Sequence, residues 1–270
     1  MSALYCVFGN PVAHSRSPDI HHAFANQKAD DLRYEKREAP LDDFAGALHT
    51  FRADGGQGAN VTVPFKEQAF ELCDAVTERA LQAGAVNTLW WEGDQLNGDN
   101  TDGAGMVQDI RENLGWQIQG KRVLVLGAGG AVRGVMGPLL AEKPTLVRVA
   151  NRTAEKAEIL ARRFMDGSNS PVLGSGLEGL AGQFDVVINA ISAGLHGEMP
   201  ALPGGLLAEG AVAYDMVYGK EPTPFMRWAE DQGAKAVSDG LGMLVEQAAE
   251  AFEVWRGWRP ETAPVMAMLR

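Results

Sequence analysis

Cysteine is scarce: Cys6 and Cys73 are the only two in 270 residues. Two thiols so far apart in the chain cannot build a disulfide framework or a four-ligand zinc site. Each reads as a small buried hydrophobe. Positive charge is short as well. Lys and Arg number 24 against 35 Asp and Glu, a formal net charge of −11, which argues against general binding to nucleic acid or to a membrane surface. No apolar run approaches the ~18 residues of a membrane span, and no basic n-region precedes an apolar stretch at Met1 to Gly9. Internal repeats, charge blocks and Ser/Pro linkers are missing too. The expectation is a soluble cytoplasmic protein whose anionic ligands are held by local donors against the global charge.

What is present is an ordinary globular composition, 46% hydrophobic and 22% charged, with 32 glycines spread along the chain. The length allows one or two domains, and the glycine excess fits many tight turns between strands and helices. Apolar runs at Tyr5–Phe8, Val61–Val63, Val123–Leu126, Leu146–Ala150, Val186–Asn189 and Val212–Tyr214 read as strands. Helix-like stretches lie between them at 42–51, 67–72, 103–114, 154–164, 224–232 and 241–255. Ser17 and Pro18 read as a cap and first turn of a further helix. This alternation predicts an α/β chain of parallel sheets with helices on both faces. The strongest internal boundary falls near Thr101-Asp102. After Ser238 an amphipathic helix begins, with Leu241, Leu244, Val245, Ala248, Phe252 and Trp255 on one face.

The most apolar strand runs Val123-Leu124-Val125-Leu126 into Gly127-Ala128-Gly129-Gly130-Ala131 and then a helix. Residues without a Cβ let the turn bend and let backbone N–H groups approach a pyrophosphate, while the helix N-terminus adds partial positive charge. Val132 occupies the third position of the fingerprint, where a smaller residue is usual. The next strand ends about two dozen residues after Gly127, at Asn151-Arg152-Thr153 with Lys156 one turn on. An acidic residue there would favour NAD. A guanidinium favours the 2′-phosphate of NADP, although a solvated surface Arg would give the same string. The segments Val186–Gly194, Tyr214–Tyr218 and Ser238–Met243 lie at further strand-to-helix junctions and are expected to flank the nicotinamide.

Polar clusters punctuate the first hundred residues: His14-Ser15-Arg16-Ser17, Asn60-Val61-Thr62 with Lys66, Asn87-Thr88, and Asp99-Asn100-Thr101-Asp102. Hydroxyls, amides, one Lys and one Asp suit a small polyhydroxylated acid rather than a metal. Adjacent His21 and His22 point different ways on a helix and complete no metal site. Oxidising an alcohol by hydride loss needs its proton removed, which an amine beside a carboxylate can do. Lys66 and Asp102 are the candidate pair.

In this order the motifs resemble the shikimate dehydrogenase family of aromatic amino-acid biosynthesis. The resemblance rests on Phe8–Pro11, His14–Pro18, Gly58–Lys66, Ala83–Thr88, Gly98–Gly103, Gly127–Ala131, Asn151–Thr153, Tyr214–Met216, Thr223–Phe225 and Asp239–Met243. It implies NADPH-dependent, reversible reduction of 3-dehydroshikimate to shikimate. It also implies a substrate domain, 1–102 completed by C-terminal helices 239–270, and a Rossmann-type doubly wound NADP domain, 103–238, with a cleft between them. By resemblance, Ser15 and Ser17 take the substrate carboxylate. Thr62, Lys66, Asn87, Asp102, Tyr218 and Gln247 surround its ring hydroxyls, and Lys66 with Asp102 exchanges the proton. The cofactor falls to Gly127, Ala128, Gly129, Gly130, Ala131, Asn151, Arg152, Thr153, Lys156, Met216 and Gly240, with Glu78 near the nicotinamide. Two departures, Ile191 where Thr is usual and Lys156 where some members carry Arg, bear on cofactor affinity. Competing readings are a quinate/shikimate dehydrogenase that uses NAD, a non-catalytic NADP-binding module, and a tRNA-dependent reductase. The sequence leaves monomer and homodimer open.

Overall fold

The computed structural model describes residues 2–165, 168–191 and 199–270. Two units emerge, Met1–Gly105 with Val245–Arg270, and Met106–Leu244. The chain thus leaves the first unit and returns to it. These turnover points lie a few residues beyond the limits of 102 and 238 drawn from the sequence.

In the first unit, strand β1 (Ala3–Gly9) is buried along its whole length. Its alternation feeds two cores. Leu4, Cys6 and Phe8 join Phe44, Phe51, Val61 and Leu89, whereas Tyr5 stacks on Trp255 with ring centroids 4.6 Å apart. Strands β2 (Leu32–Glu38) and β3 (Gly56–Val61) flank β1, both parallel to it. The sequence hid β2 because its outward positions are charged, as suits the edge strand it forms. Strands β4 (Ala75–Val76), β5 (Thr88–Glu92) and β6 (Gln95–Asp99) complete the order β2-β1-β3-β5-β6-β4. Helices α1 (Ser17–Asn26), α2 (Phe44–Ala53), α3 (Lys66–Leu72) and α4 (Glu78–Ala83) connect them.

Three expectations need correction here. The sheet is mixed, because β5 runs antiparallel to both β3 and β6. For β5 and β6 the cause is the two-residue turn at Gly93-Asp94, with Gly93 at φ +61°, since so short a link can only return the chain antiparallel. The strand read at Val61–Val63 ends at Val61. Finally, Ser17 lies inside α1 rather than capping it: Arg16 takes the cap position and makes no side-chain bond there.

The second unit is parallel throughout its sheet. It begins with the end of α5 (Asp102–Gln108), which runs into a π-helical turn at Asp109–Asn113 where the sequence suggested one helix. Then come β7 (Arg122–Leu126), α6 (Gly130–Ala141), β8 (Leu146–Asn151), α7 (Ala154–Met165) and β9 (Val172–Gly176). Next are β10 (Phe184–Asn189), β11 (Leu207–Asp215), α8 (Pro224–Asp231) and β12 (Ala236–Ser238). The order β12-β11-β10-β7-β8-β9 reverses direction between β7 and β10, as in doubly wound dinucleotide-binding sheets. Val123 and Val125 face a core with Val132, Val135 and Leu160. Leu124 and Leu126 face the opposite one, with Phe184, Val187 and Phe225. Helix α9 (Leu241–Arg256) starts in this unit and ends in the first, followed by α10 (Ala263–Leu269).

Candidate active site

Register gathers the polar clusters of the first unit. Phe8 pairs with Val61, Asn60 with Thr88, and Thr88 with Asp99. The loops after β1, β3 and β6 and the loop before β5 therefore leave one end of the sheet. There Lys66 opens α3 and Asp102 opens α5. A carboxylate suits a helix N-terminus and an ammonium does not, but Lys66 Nζ donates to Asp102 Oδ2 at 2.6 Å. The side chains of Lys66 and Asp102 are 28% and 12% exposed, so the pair is sheltered yet reachable.

Asn87 organises this pair. Its Oδ1 accepts from the backbone N–H of Thr101 at 2.9 Å and from the Thr88 hydroxyl at 2.9 Å. A backbone N–H can only donate, so the amide orientation is fixed and Nδ2 must face outward. Nδ2 donates to Asp102 Oδ1 at 2.8 Å and lies 3.3 Å from Gln247 Oε1. Behind it, Asn60 Nδ2 donates to Thr88 Oγ1 at 3.3 Å, and Asn60 Oδ1 accepts from the Tyr34 hydroxyl at 2.6 Å and contacts His21 Nε2 at 3.1 Å. His21 is fully buried, stacked on Tyr34 at 4.3 Å, and burial lowers its pKa to about 3. It is a neutral packing residue. The sequence places Asn60, Thr88 and Thr101 in polar clusters but assigns them no individual role; only the hairpin signal at Gly93-Asp94 could have brought Thr88 and Thr101 together.

The helix that carries Gln247 is anchored by an ion-pair ladder. Burial pushes the Asp99 carboxyl up, but the bidentate Arg79 guanidinium and the Thr77 hydroxyl bring it below the usual range. Arg79 also bonds Glu250 at 3.2 Å, and Arg259 bonds Glu246 at 2.9 Å and pairs with Glu250. Gln247 sits between those two anchored glutamates on α9. Gly105 approaches it so closely that an added Cβ would fall 2.5 Å from the Gln247 nitrogen.

The remaining first-unit candidates lie after β1, just after β3 and at the start of α4. Ser15 donates to Ser17 Oγ at 3.2 Å and accepts from the Ser17 N–H at 3.3 Å. Thr62, half-buried, follows β3 with its backbone N–H on Phe8 O at 2.8 Å. Glu78 is exposed at the start of α4 and accepts from Gln82 at 3.2 Å.

In the second unit the glycine turn has the form a pyrophosphate needs. Gly127 has φ +112°, an added Cβ there would meet Ala190 O at 3.2 Å, and one on Gly129 would project into open space. No side chain caps α6, so its first N–H groups remain directed outward for phosphate oxygens. Val132 is fully buried in the core. Arg152, Thr153 and Lys156 are exposed beyond β8, and Asn151 Nδ2 donates to Thr153 O at 3.0 Å. These residues fit a 2′-phosphorylated dinucleotide. Met216 follows β11, and a Cβ on Gly240 would sit 2.3 Å from Met216 O. Tyr218 is 39% exposed. Of the Val186–Gly194 segment, Ser192, Ala193 and Gly194 lie outside the described residues.

Family models match most of the chain: the shikimate dehydrogenase substrate binding domain over residues 7–89, shikimate / quinate 5-dehydrogenase over 108–196, and the shikimate 5'-dehydrogenase C-terminal domain over 240–270. The chain belongs to the shikimate dehydrogenase family. A family member named shikimate dehydrogenase (NADP(+)) from Alcanivorax borkumensis is 78% identical, covering 100% of this chain and 97% of that protein. An Ael1 enzyme structure from Pseudomonas putida superimposes with TM-score 0.94 at 47% identity, covering 99% and 98% of the two chains. The family's shikimate 5-dehydrogenase from Thermus thermophilus, solved with NADP(H) and shikimate, gives TM-score 0.87 at 34% identity over 98% and 97%. Among the described residues no helix is long and apolar enough to cross a membrane, and no group of three His, Cys, Asp or Glu side chains could hold a metal ion.

Proposed function

We propose that this chain catalyses its family's reaction, the reversible NADPH-dependent reduction of 3-dehydroshikimate to shikimate. The observation that carries the reading is the Lys66–Asp102 pair, 2.6 Å apart and braced by an Asn87 amide of fixed orientation. Bound NADPH supplies the hydride. The Lys66 ammonium gives its proton to the carbonyl oxygen as that oxygen becomes a hydroxyl, and in the reverse direction the amine takes the proton back. Asp102 accepts from Nζ and so positions it. Ser15 and Ser17 donate to the substrate carboxylate; Thr62, Asn87, Tyr218 and Gln247 bind ring hydroxyls. Gly127 to Ala131 hold the pyrophosphate, Arg152 and Lys156 with Asn151 and Thr153 hold the 2′-phosphate, and Met216, Gly240 and Glu78 serve the nicotinamide side. The protein works as a monomer or homodimer in the cytoplasm, without nucleic acid, membrane or metal.

A steady-state assay of shikimate and quinate against NADP and NAD tests this. Shikimate with NADP is expected to be far the best combination; comparable rates with NAD would overturn the cofactor assignment. Lys66→Ala should lower kcat by ~10²-fold or more while NADPH binding stays intact, and an unchanged kcat would remove Lys66 from the chemistry.

A further inference from the structure

Strands β10 and β11 end side by side, with Asn189 paired to Asp215, and both side chains are buried at 5% and 0% exposure. Asp215 Oδ1 accepts from Asn189 Nδ2 at 2.9 Å and from the Val217 N–H at 3.0 Å, while Oδ2 accepts from the Thr223 hydroxyl at 2.6 Å. Asn189 Oδ1 accepts from the Ile191 N–H at 3.2 Å, which leaves its NH₂ group to face the carboxylate. Burying a carboxylate is costly unless donors surround it, and here all three partners donate.

The joint holds backbone rather than core. Through Asp215 it fixes Val217, whose carbonyl accepts from Gly240 N at 3.1 Å; Met216 N in turn donates to Asn189 O at 2.9 Å. Close packing of Gly240 on Met216 O depends on that arrangement. In the sheet order, β8 with Arg152 lies on one side of β7 and its glycine turn, and β10 and β11 lie on the other. A dinucleotide whose pyrophosphate crosses β7 and whose adenosine lies over β8 extends its other half over β10 and β11.

We infer that Asn189 and Asp215 are positioning residues for the nicotinamide half of the dinucleotide, acting through the backbone of Met216, Val217 and Gly240. The inference rests on the NADP reading of this unit. The test compares binding of NADPH with binding of 2′,5′-ADP, which lacks the nicotinamide half, to the purified full-length chain. Asp215→Ala should weaken NADPH about 10-fold or more, a loss of about 1.4 kcal/mol, and leave 2′,5′-ADP within about twofold. Asp215→Asn can still accept at Oδ1 and turn its NH₂ towards the Thr223 oxygen, so it should recover most of the NADPH affinity. Should Asp215→Ala fail to fold, Asn189→Ala carries the same expectation, because Asp215 then keeps two donors. Equal weakening of both ligands, or no change in folded variants, overturns the inference while the NADP reading stands. A wild-type chain that binds neither ligand removes both.

Discussion

At the residue scale, the site depends on which groups are forced and which are free to choose. Asn87 has no choice, since the Thr101 N–H dictates its flip and so dictates what Asp102 receives. His21 is constrained by burial, and the consequence is measurable. Its pKa falls from 6.5 to about 3 in the folded chain. Between those values the unfolded chain binds one proton more, so stability falls as pH falls, by about 1.4 kcal/mol per pH unit. His21→Gln, neutral at every pH and still able to donate to Asn60, should flatten the urea-midpoint decline between pH 6 and pH 4. An equally steep decline would assign acid sensitivity to other groups. Arg152 is the corresponding test on the nucleotide side. Arg152→Ala should raise the KM for NADP by about tenfold or more and leave that for NAD nearly unchanged, because a charged hydrogen bond to phosphate contributes roughly 1.5–3 kcal/mol.

At the scale of elements, the sequence was clearest where burial and local chemistry agree. β7 and the Val186–Ile188 stretch of β10 are apolar runs because both faces of their sheet are covered, β8 is broken only by the half-buried Arg148, and the glycine turn between β7 and α6 needs its special backbone at Gly127. The polar motifs around Ser15, Lys66, Asn87 and Asp102 were equally legible. β5 was not: Thr88 to Glu92 is missing from the strands read in the sequence, and its antiparallel course beside β6 follows only from the short Gly93-Asp94 turn that joins them. β2 escaped notice because an edge strand tolerates charge on its open side, and the Asn189–Asp215 joint because two isolated polar residues, distant in sequence, meet only through strand pairing. Helix contacts are as consequential. Gly105 lies against the α9 backbone at Gln247, and backbone cannot yield as a flexible side chain can. Gly105→Ala should cost roughly 1–3 kcal/mol and displace Gln247. Thermal denaturation should register the loss, and the KM for shikimate should rise several-fold with NADPH affinity kept; an unchanged KM would show that α9 tolerates the shift.

At the scale of the whole molecule, the two units have separate cores, and most of the residues proposed for each ligand fall within one unit, Tyr218 and Glu78 excepted. Each ligand should therefore stabilise chiefly the unit that holds it. Hydrogen exchange is expected to slow at 87–88, 100–102 and 247 with shikimate, and at 127–133 and 151–156 with NADP. Identical protection by either ligand alone would contradict that division. The net charge of −11 belongs to this scale as well: it opposes both anionic ligands at long range, so the proposed recognition has to rest on local donors such as Ser15, Ser17, Arg152, Lys156 and the α6 N-terminus.

The first unit is discontinuous, closed by Val245–Arg270 only after the whole of Met106–Leu244 has been made. During synthesis, then, a nascent chain can finish its nucleotide-holding lobe on the ribosome before the carbon-substrate lobe has received its last helices. A chain arrested just past Leu244 would keep its Lys66 and Asp102 but lack Gln247, Glu246 and Glu250. The order of assembly is written into the path of the backbone: the inserted unit first, the discontinuous one last.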